Sequence, residues 1–311
     1  MPAEERQGIV IRYRSGFYTV KSDDEIITCR LRGRLKRGPV KGDIVTIGDR
    51  VNISLQMDGT GAIESVEERK SALIRMAPTP RGMYQQVLIA NPDQIVIIFA
   101  CADPDPNTRM LDRFLVICEK QGLKPIIVLN KLDLVKPREA KKVFSVYQKI
   151  GYPVIYTSAQ SGQGIKKLKK ELDGRISCFT GPSGVGKTSL LNQIKPELGL
   201  DVREVSTATS KGRHTTVVRE LFPLDDTGFV ADLPGIRALA LWDIEPEEID
   251  GYFPEIRDLV AQCQFSNCSH QEEPGCAVIE ALDKGKIDSY RYDSYLRMRW
   301  GEESRIETEF N

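Results

Sequence analysis

The 311-residue sequence predicts a multidomain chain: an N-terminal β-barrel of the oligonucleotide-binding (OB-fold) type over 1–71, a central α/β domain over 72–245, and a mostly helical, metal-binding tail over 246–311. Three observations predict it. Short β-rich runs separated by turn residues fill positions 8–66, strand-like and helix-like segments then alternate around a glycine-broken loop from Gly181 to Lys187, and three cysteines and a histidine crowd into 263–276. A chain of this length exceeds the usual size of a single hydrophobic core.

In the first part, the runs 9–13, 17–20, 26–31, 43–47 and 62–66 carry β-branched and aromatic residues, punctuated by Gly, Ser and Asp. Five short strands suit a small closed barrel better than a sandwich, which needs about seven. Arg30, Arg32 and Arg34 alternate with Cys29, Leu31 and Gly33, so a strand continued through them puts three cations on one face, with Lys36, Arg37 and Lys41 along the following loop. Such a face suits RNA phosphates, and equally an ordinary solvated surface.

The second part opens with the continuous apolar run 94–100, the pattern of a parallel strand covered on both faces. A helix follows through Met110, Leu111, Phe114, Leu115 and Cys118, then a buried strand at 125–129, a helix from Pro137 to about Ile150, a strand at 152–156, a helix over 164–172 and a strand over 176–180. Alternation of this kind makes an open α/β sheet, whose ligands bind beyond the carboxyl ends of the strands.

Gly181-Pro182-Ser183-Gly184-Val185-Gly186-Lys187-Thr188-Ser189 lies between strand and helix, the context of a phosphate-binding loop. Its backbone N–H groups can converge on phosphate oxygens, Lys187 can reach the β- and γ-phosphates, and the Thr188 hydroxyl can sit on Mg²⁺. Asn130-Lys131-Leu132-Asp133 ends the strand at 125–129. Asp133 can accept from both N1 and N2 of guanine, Asn130 can tie the base to neighbouring loops, and the Lys131 stem can cover the ring. Adenine lacks the N2 amine and reverses the pattern at positions 1 and 6, so the loop selects GTP over ATP. Ser158-Ala159 completes the pocket with a backbone N–H for O6. Downstream, Asp232-Leu233-Pro234-Gly235 ends a strand at 228–231: Asp232 would hold the Mg²⁺ shell and the Gly235 N–H would meet the γ-phosphate. The polar segment 206–216 between them reads as a switch loop in which Thr216, or Thr215, closes on Mg²⁺.

In the tail, Cys263, Cys268, His270 and Cys276 form a Cys₃His set suited to one structural Zn²⁺. Helices are expected over 249–260 and 278–296, the second carrying Tyr290, Arg291, Tyr292, Tyr295, Arg297 and Arg299 as a contact face or as plain packing.

The order of these motifs is permuted. Ordinary GTPases run phosphate loop, switch threonine, Asp-x-x-Gly, Asn-Lys-x-Asp and Ser-Ala, whereas here the last two come first. The chain resembles the circularly permuted GTPases and, in detail, the ribosome small subunit-dependent (RsgA/YjeQ) family. The similarity spans the barrel, the permuted motifs, Gly212-Arg213-His214-Thr215-Thr216 and the tail cluster. It implies hydrolysis of GTP to GDP and phosphate, stimulated by the small (30S) ribosomal subunit and its rRNA, late in that subunit's maturation. Ile236 follows Gly235 and cannot orient the attacking water as a glutamine would, which makes His214 the candidate for that role. Two other functions compete: a GTP-dependent RNA-binding module without physiological turnover, and a metabolic kinase, disfavoured by the guanine-reading loop.

Lys plus Arg and Asp plus Glu both total 44, so a neutral sum hides a segregated charge pattern. The first residues lack a secretory or transit pattern and no apolar run approaches membrane-spanning length. Cys29, Cys101, Cys118 and Cys178 read as buried reduced thiols. The expectation is a cytoplasmic monomer with no membrane partner.

Overall fold

The computed structural model describes residues 5–36, 43–79, 82–200, 220–225, 227–232 and 244–301. Five strands close the barrel in the order β1 (Glu5–Arg14), β2 (Phe17–Ser22), β3 (Glu25–Leu31), β5 (Gly61–Val66) and β4 (Arg50–Leu55). The period-2 alternation turns Val10, Val20, Ile27, Cys29, Val51, Ile53 and Ile63 into its interior.

Two expectations fail here. The run 43–47 is not a strand, and the strand in that part of the barrel is Arg50–Leu55. The Asp49 carboxylate explains this: it accepts from the Thr46 N–H at 2.7 Å and from Arg69 Nε at 2.7 Å, folding 43–49 into a pinned turn that buries Val45 and Ile47 without a ladder. Arg30, Arg32 and Arg34 do not share a strand face either, because β3 stops at Leu31 and Gly33–Lys36 is a 3₁₀ turn. Arg32 and Arg34 both pair with Glu64, at 2.8 and 2.9 Å. Arg37 and Lys41 lie outside the described residues.

An antiparallel hairpin that the sequence reading missed, β6 (Ala72–Thr79) and β7 (Gly82–Ala90), leads into the second part. There the sheet runs β10 (Val154–Tyr156), β9 (Pro125–Asn130), β8 (Gln94–Ala100), β11 (Ile176–Thr180), β13 (Phe229–Asp232), β12 (Leu221–Pro223), all parallel except β12. Every residue of β8 and β11 is buried, since helices cover both faces. On one face α1 (Thr108–Lys120) and α2 (Pro137–Lys149) cover Ile95, Ile97, Phe99, Ile127 and Leu129. On the other, α3 (Ile165–Leu172) and α4 (Lys187–Ile194) cover Val96, Ile98, Val128 and Phe179.

The tail has a 3₁₀ segment Pro246–Tyr252 followed by α5 (Pro254–Val260), α6 (Ala277–Asp283) and α7 (Ser289–Trp300). Both helices expected as continuous are broken. Pro254 cannot donate into a preceding turn, and Asp288 starts α7 afresh by accepting from the Tyr290 N–H at 2.9 Å. Of the two readings of this helix, packing holds for most of it: Arg291 is 1% exposed, Tyr295 is fully buried and Arg299 is 9% exposed. Arg291 reaches across to the α/β domain, donating to Asp112 of α1 at 2.6 Å and to Glu255 of α5 at 2.7 Å, with its guanidinium 4.3 Å above the Phe253 ring. Asp112 also accepts from Tyr147 at 2.8 Å. Cys29, Cys101, Cys118 and Cys178 are buried free thiols, as expected. Among the described residues no helix is long and apolar enough to cross a membrane.

Candidate functional site: a nucleotide pocket and a metal cluster

Strand order and helix placement put the carboxyl ends of β9, β10, β8, β11 and β13 along one edge of the sheet. Chain segments far apart in sequence meet there. At its centre β8 and β11 are neighbours, yet the chain leaves them in opposite directions across the sheet, which makes a crevice of the kind that binds ligands in open α/β folds.

The phosphate-loop segment leaves β11 at Gly181, whose φ is +143° and where a Cβ would sit 2.0 Å from the Ile98 carbonyl oxygen. It enters α4 through Gly186, at φ +89°, where a Cβ would meet Asn130 Nδ2 at 2.4 Å. Only glycine satisfies both dihedral and space at these points. The turn aims the first N–H groups of α4 back into the loop, where they have no intrahelical partners. The Lys187 ammonium donates to the carbonyls of Gly181 and Pro182 at 2.9 and 2.7 Å, inside the concave side of the loop. Pro182, Ser183 and Gly184 form the crest, Val185 is buried, and Thr188 is buried beside Lys187, with Ser189 next on the helix.

Asn130 is the knot. Its Nδ2 donates to the Val185 carbonyl at 2.9 Å while its Oδ1 accepts from the Ala159 N–H at 3.1 Å and the Thr157 hydroxyl at 3.3 Å. One buried carboxamide therefore joins the loops after β9, β10 and β11. Lys131 sits in the left-handed region at φ +60°, and its ammonium contacts the Asp103 carbonyl in the loop after β8. Leu132 is buried and anchors the turn, whereas Asp133 is exposed and accepts from the buried Ser158 hydroxyl. Ser158 Oγ accepts in turn from the Ser161 N–H at 3.0 Å, which sets its hydrogen toward Asp133. The arrangement leaves an exposed acceptor-only carboxylate at the rim of these loops, whereas the Ser158 and Ala159 N–H groups expected to face the base are donated to the Gln163 carbonyl and to Asn130 Oδ1. The sequence reading did not include Asp103, which carries no motif signal.

Asp232 ends β13 opposite Phe179 of β11. Burial pushes its carboxyl above the usual carboxylate range, while the charge of Lys187 pulls the other way, and its Oδ1 is buried with no partner among the described residues. A buried carboxylate oxygen without a described partner and a buried threonine hydroxyl following Lys187 are the donor types a hard divalent cation takes, so Asp232 and Thr188 fit that role by their chemistry. Thr215, Thr216, His214 and Gly235 lie outside the described residues.

In the tail, ligand atoms of Cys263, Cys268, His270 and Cys276 all lie within 4.8 Å of one another. His270 Nδ1 faces the sulfurs, 3.6 Å from Cys263 and 3.4 Å from Cys276, and Nε2 points to Asp250 at 3.4 Å. A carboxylate on the far nitrogen fixes the ring and raises the basicity of the near one. The loop is held by Glu273, which accepts from the N–H groups of Ser269 and Gln271 at 2.6 and 2.9 Å, and by Tyr295, whose hydroxyl donates to the Ser269 carbonyl at 3.1 Å. Burial raises the Glu273 carboxyl, but these bonds outweigh it and hold the group well below its ordinary value. Three thiols and one imidazole at these separations can hold a metal ion.

A family model described as RsgA GTPase matches residues 66–242, and one described as RsgA N-terminal domain matches 7–63. A small ribosomal subunit biogenesis GTPase RsgA of Gemmatimonas aurantiaca is 44% identical over 94% of this chain and 96% of its own length. Another of the same name, from Moorella thermoacetica, is 42% identical over 93% and 95%. Among solved structures, YjeQ from Thermotoga maritima superposes with a TM-score of 0.78 at 38% identity, covering 96% of this chain and 98% of that one. YloQ, described as a circularly permuted GTPase, gives 0.75 at 32% identity, covering 97% and 96%. With a family model over more than half of the chain and relatives above 40% identical over nearly all of it, this chain belongs to the RsgA GTPase family of circularly permuted GTPases.

Proposed function

We propose that the chain binds Mg·GTP in the pocket at the sheet edge and hydrolyses it to GDP and phosphate while engaged with the small (30S) ribosomal subunit, late in that subunit's maturation. The observation that carries the reading is the Asn130 knot, which joins the Asn130–Asp133 loop, the Ser158-Ala159 loop and the phosphate loop at one sheet edge, with the phosphate loop last in the chain as in a circularly permuted GTPase. The names of the relatives supply the subunit. In this reading Gly181 to Ser189 and Gly235 hold the phosphates, Asn130 to Asp133 with Ser158 and Ala159 hold guanine, and Thr188, Thr216 (or Thr215) and Asp232 hold Mg²⁺. The tail cluster takes one structural Zn²⁺, as tetrahedral thiolate and imidazole donors favour. The proposed parts remain 1–71, 72–245 and 246–311, acting as a cytoplasmic monomer with rRNA under the barrel.

GTP hydrolysis measured with and without purified small subunits tests the function. Stimulation by the subunit supports it; GTP-stabilised subunit binding with no turnover would establish the RNA-binding module instead. His214 is proposed to order the attacking water, so His214→Ala should leave GTP affinity unchanged and abolish most of the stimulation. Undiminished stimulated turnover in that variant removes His214 from the mechanism.

Metal removal gives a separate expectation. A strong chelator should unfold the region from 246 onward, seen as lost protection of its amides in hydrogen exchange, while guanine-nucleotide binding by the α/β domain persists. A tail equally protected with and without metal contradicts the structural-ion assignment.

A further inference from the structure

We propose that the solvent face of α3, with Lys166, Lys167, Lys169 and Lys170, is a docking surface for the phosphate backbone of RNA in the small ribosomal subunit. The inference rests on the proposed function and adds to it a contact in the α/β domain, away from the barrel.

The helix buries Ile165, Leu168 and Leu172 against the sheet face it shares with α4, and leaves all four lysines exposed. Its charge pattern works against its own stability. The first turn contains no acidic residue and, after Ile165, carries Lys166 and Lys167 at the positive end of the helix dipole. Lys166 and Lys170 are four apart, and 166/169 and 167/170 three apart, so like charges face each other along the surface. The acidic residue in the helix, Glu171, turns to Arg175 at 3.4 Å. Among the described residues none of the four ammonium groups has an ion-pair partner, unlike Lys284, which pairs with Glu280. Lys169 and Lys170 lie in the last turn, where the dipole favours them, but Lys166 and Lys167 do not, and the row of exposed like charges is where an anionic ligand is expected to bind.

The rest of the molecule sharpens the contrast. The barrel cations expected to meet RNA are partly spent: Arg32 and Arg34 share Glu64, and Arg30 lies 4.6 Å above the Phe17 ring. The chain as a whole carries no net charge, so a local excess of four unpaired cations is not a by-product of a basic composition. A regular row of phosphates is the complement of such a face. The helix is also firmly placed relative to the pocket, since the Ser158 N–H donates to the Gln163 carbonyl at 3.0 Å and the Gly162 N–H to the Ser158 carbonyl at 2.9 Å. The guanine loop runs straight into the docking helix.

The test is a variant with all four lysines changed to Gln, which keeps helix propensity. Its affinity for purified small subunits and for protein-free small-subunit rRNA is measured between about 0.05 and 0.2 M salt. The slope of log affinity against log salt should fall in magnitude by about three for both ligands, as loss of four phosphate contacts requires. Intrinsic GTP turnover should match wild type, and the thermal midpoint should stay close to it, since relief of the repulsion is offset by loss of the two last-turn cations that the dipole favours. An unchanged slope overturns the proposal and leaves a solvated face. A change seen with intact subunits but absent with protein-free rRNA also overturns it, in favour of an acidic ribosomal protein. Should the fourfold variant melt early, Lys166→Gln and Lys170→Gln singly must each lower the slope by a little under one, and no change in either counts against the proposal. Failure of wild type to bind subunits at all would instead strike the proposed function.

Discussion

Replacing Asp133 by Asn should weaken GTP binding by about 10²–10⁴-fold, because two hydrogen bonds to a charged acceptor are lost and a donor is turned toward the guanine N1 and N2 hydrogens. Binding of xanthosine triphosphate should rise in the same variant, since the xanthine edge presents an acceptor where guanine has its amine. The side chain is exposed and its protein partner is the Ser158 hydroxyl, which Asn can also accept, so the fold should be untouched. Titration with labelled guanosine and xanthosine nucleotides checks both halves. Equal losses for both bases would mean that Asp133 supports the loop and does not read the base.

The second large effect is on stability. Arg291→Met removes the cation from a site where Asp112 is fully buried and Glu255 nearly so, leaving two carboxylates without their shared partner. Breaking a buried pair from one side costs about 3–5 kcal/mol. Burial already pushes the Asp112 carboxyl upward, with Arg291, Ser294 and Tyr147 opposing that shift. In the variant this opposition weakens, so Asp112 takes up a proton at higher pH. A group whose folded pKa lies above its unfolded value adds stability at low pH and loses it as pH rises through the folded value. The defect of Arg291→Met should therefore be largest at neutral pH and smaller toward pH 5, measured by denaturant unfolding of both proteins. A loss under 1 kcal/mol at pH 7 would show that the hub does not fasten the tail to α1. The double change Arg291→Met with Asp112→Leu should recover part of the loss, because it removes charge from both sides of the joint.

These two sites were not equally legible in the sequence. Asp133 belongs to a four-residue motif whose chemistry is local: a carboxylate and a carboxamide at fixed spacing on a turn after a buried strand. The same holds for Gly181 and Gly186, Lys187, and Cys263, Cys268, His270 and Cys276, where spacing along the chain fixes spacing in space. The reading of Arg291 stayed open between a contact face and plain packing, because a charged residue on a polar helix gives no sign of a partner lying 179 positions earlier. The strand at Arg50–Leu55 was displaced to 43–47 in the reading for a related reason. Val45 and Ile47 have strand composition, but the buried Asp49 carboxylate, paired with Arg69, turns that segment.

What the sequence determined by itself was the identity of the parts: a five-stranded barrel, an α/β sheet, the loop motifs that meet at its edge, the cysteine and histidine cluster and the permuted order that joins them. Periodicity and motif spacing carry that information because each depends on neighbours within a few residues. Only the tertiary structure decided how the parts are held together and where their charge is spent. It made Asn130 the knot of three loops, consumed Arg32 and Arg34 on Glu64, sank Arg291 between Asp112 and Glu255, and left the α3 lysines facing water. Ion pairing and burial are properties of distance in space, and no local pattern in the chain encodes which distant group will be brought near.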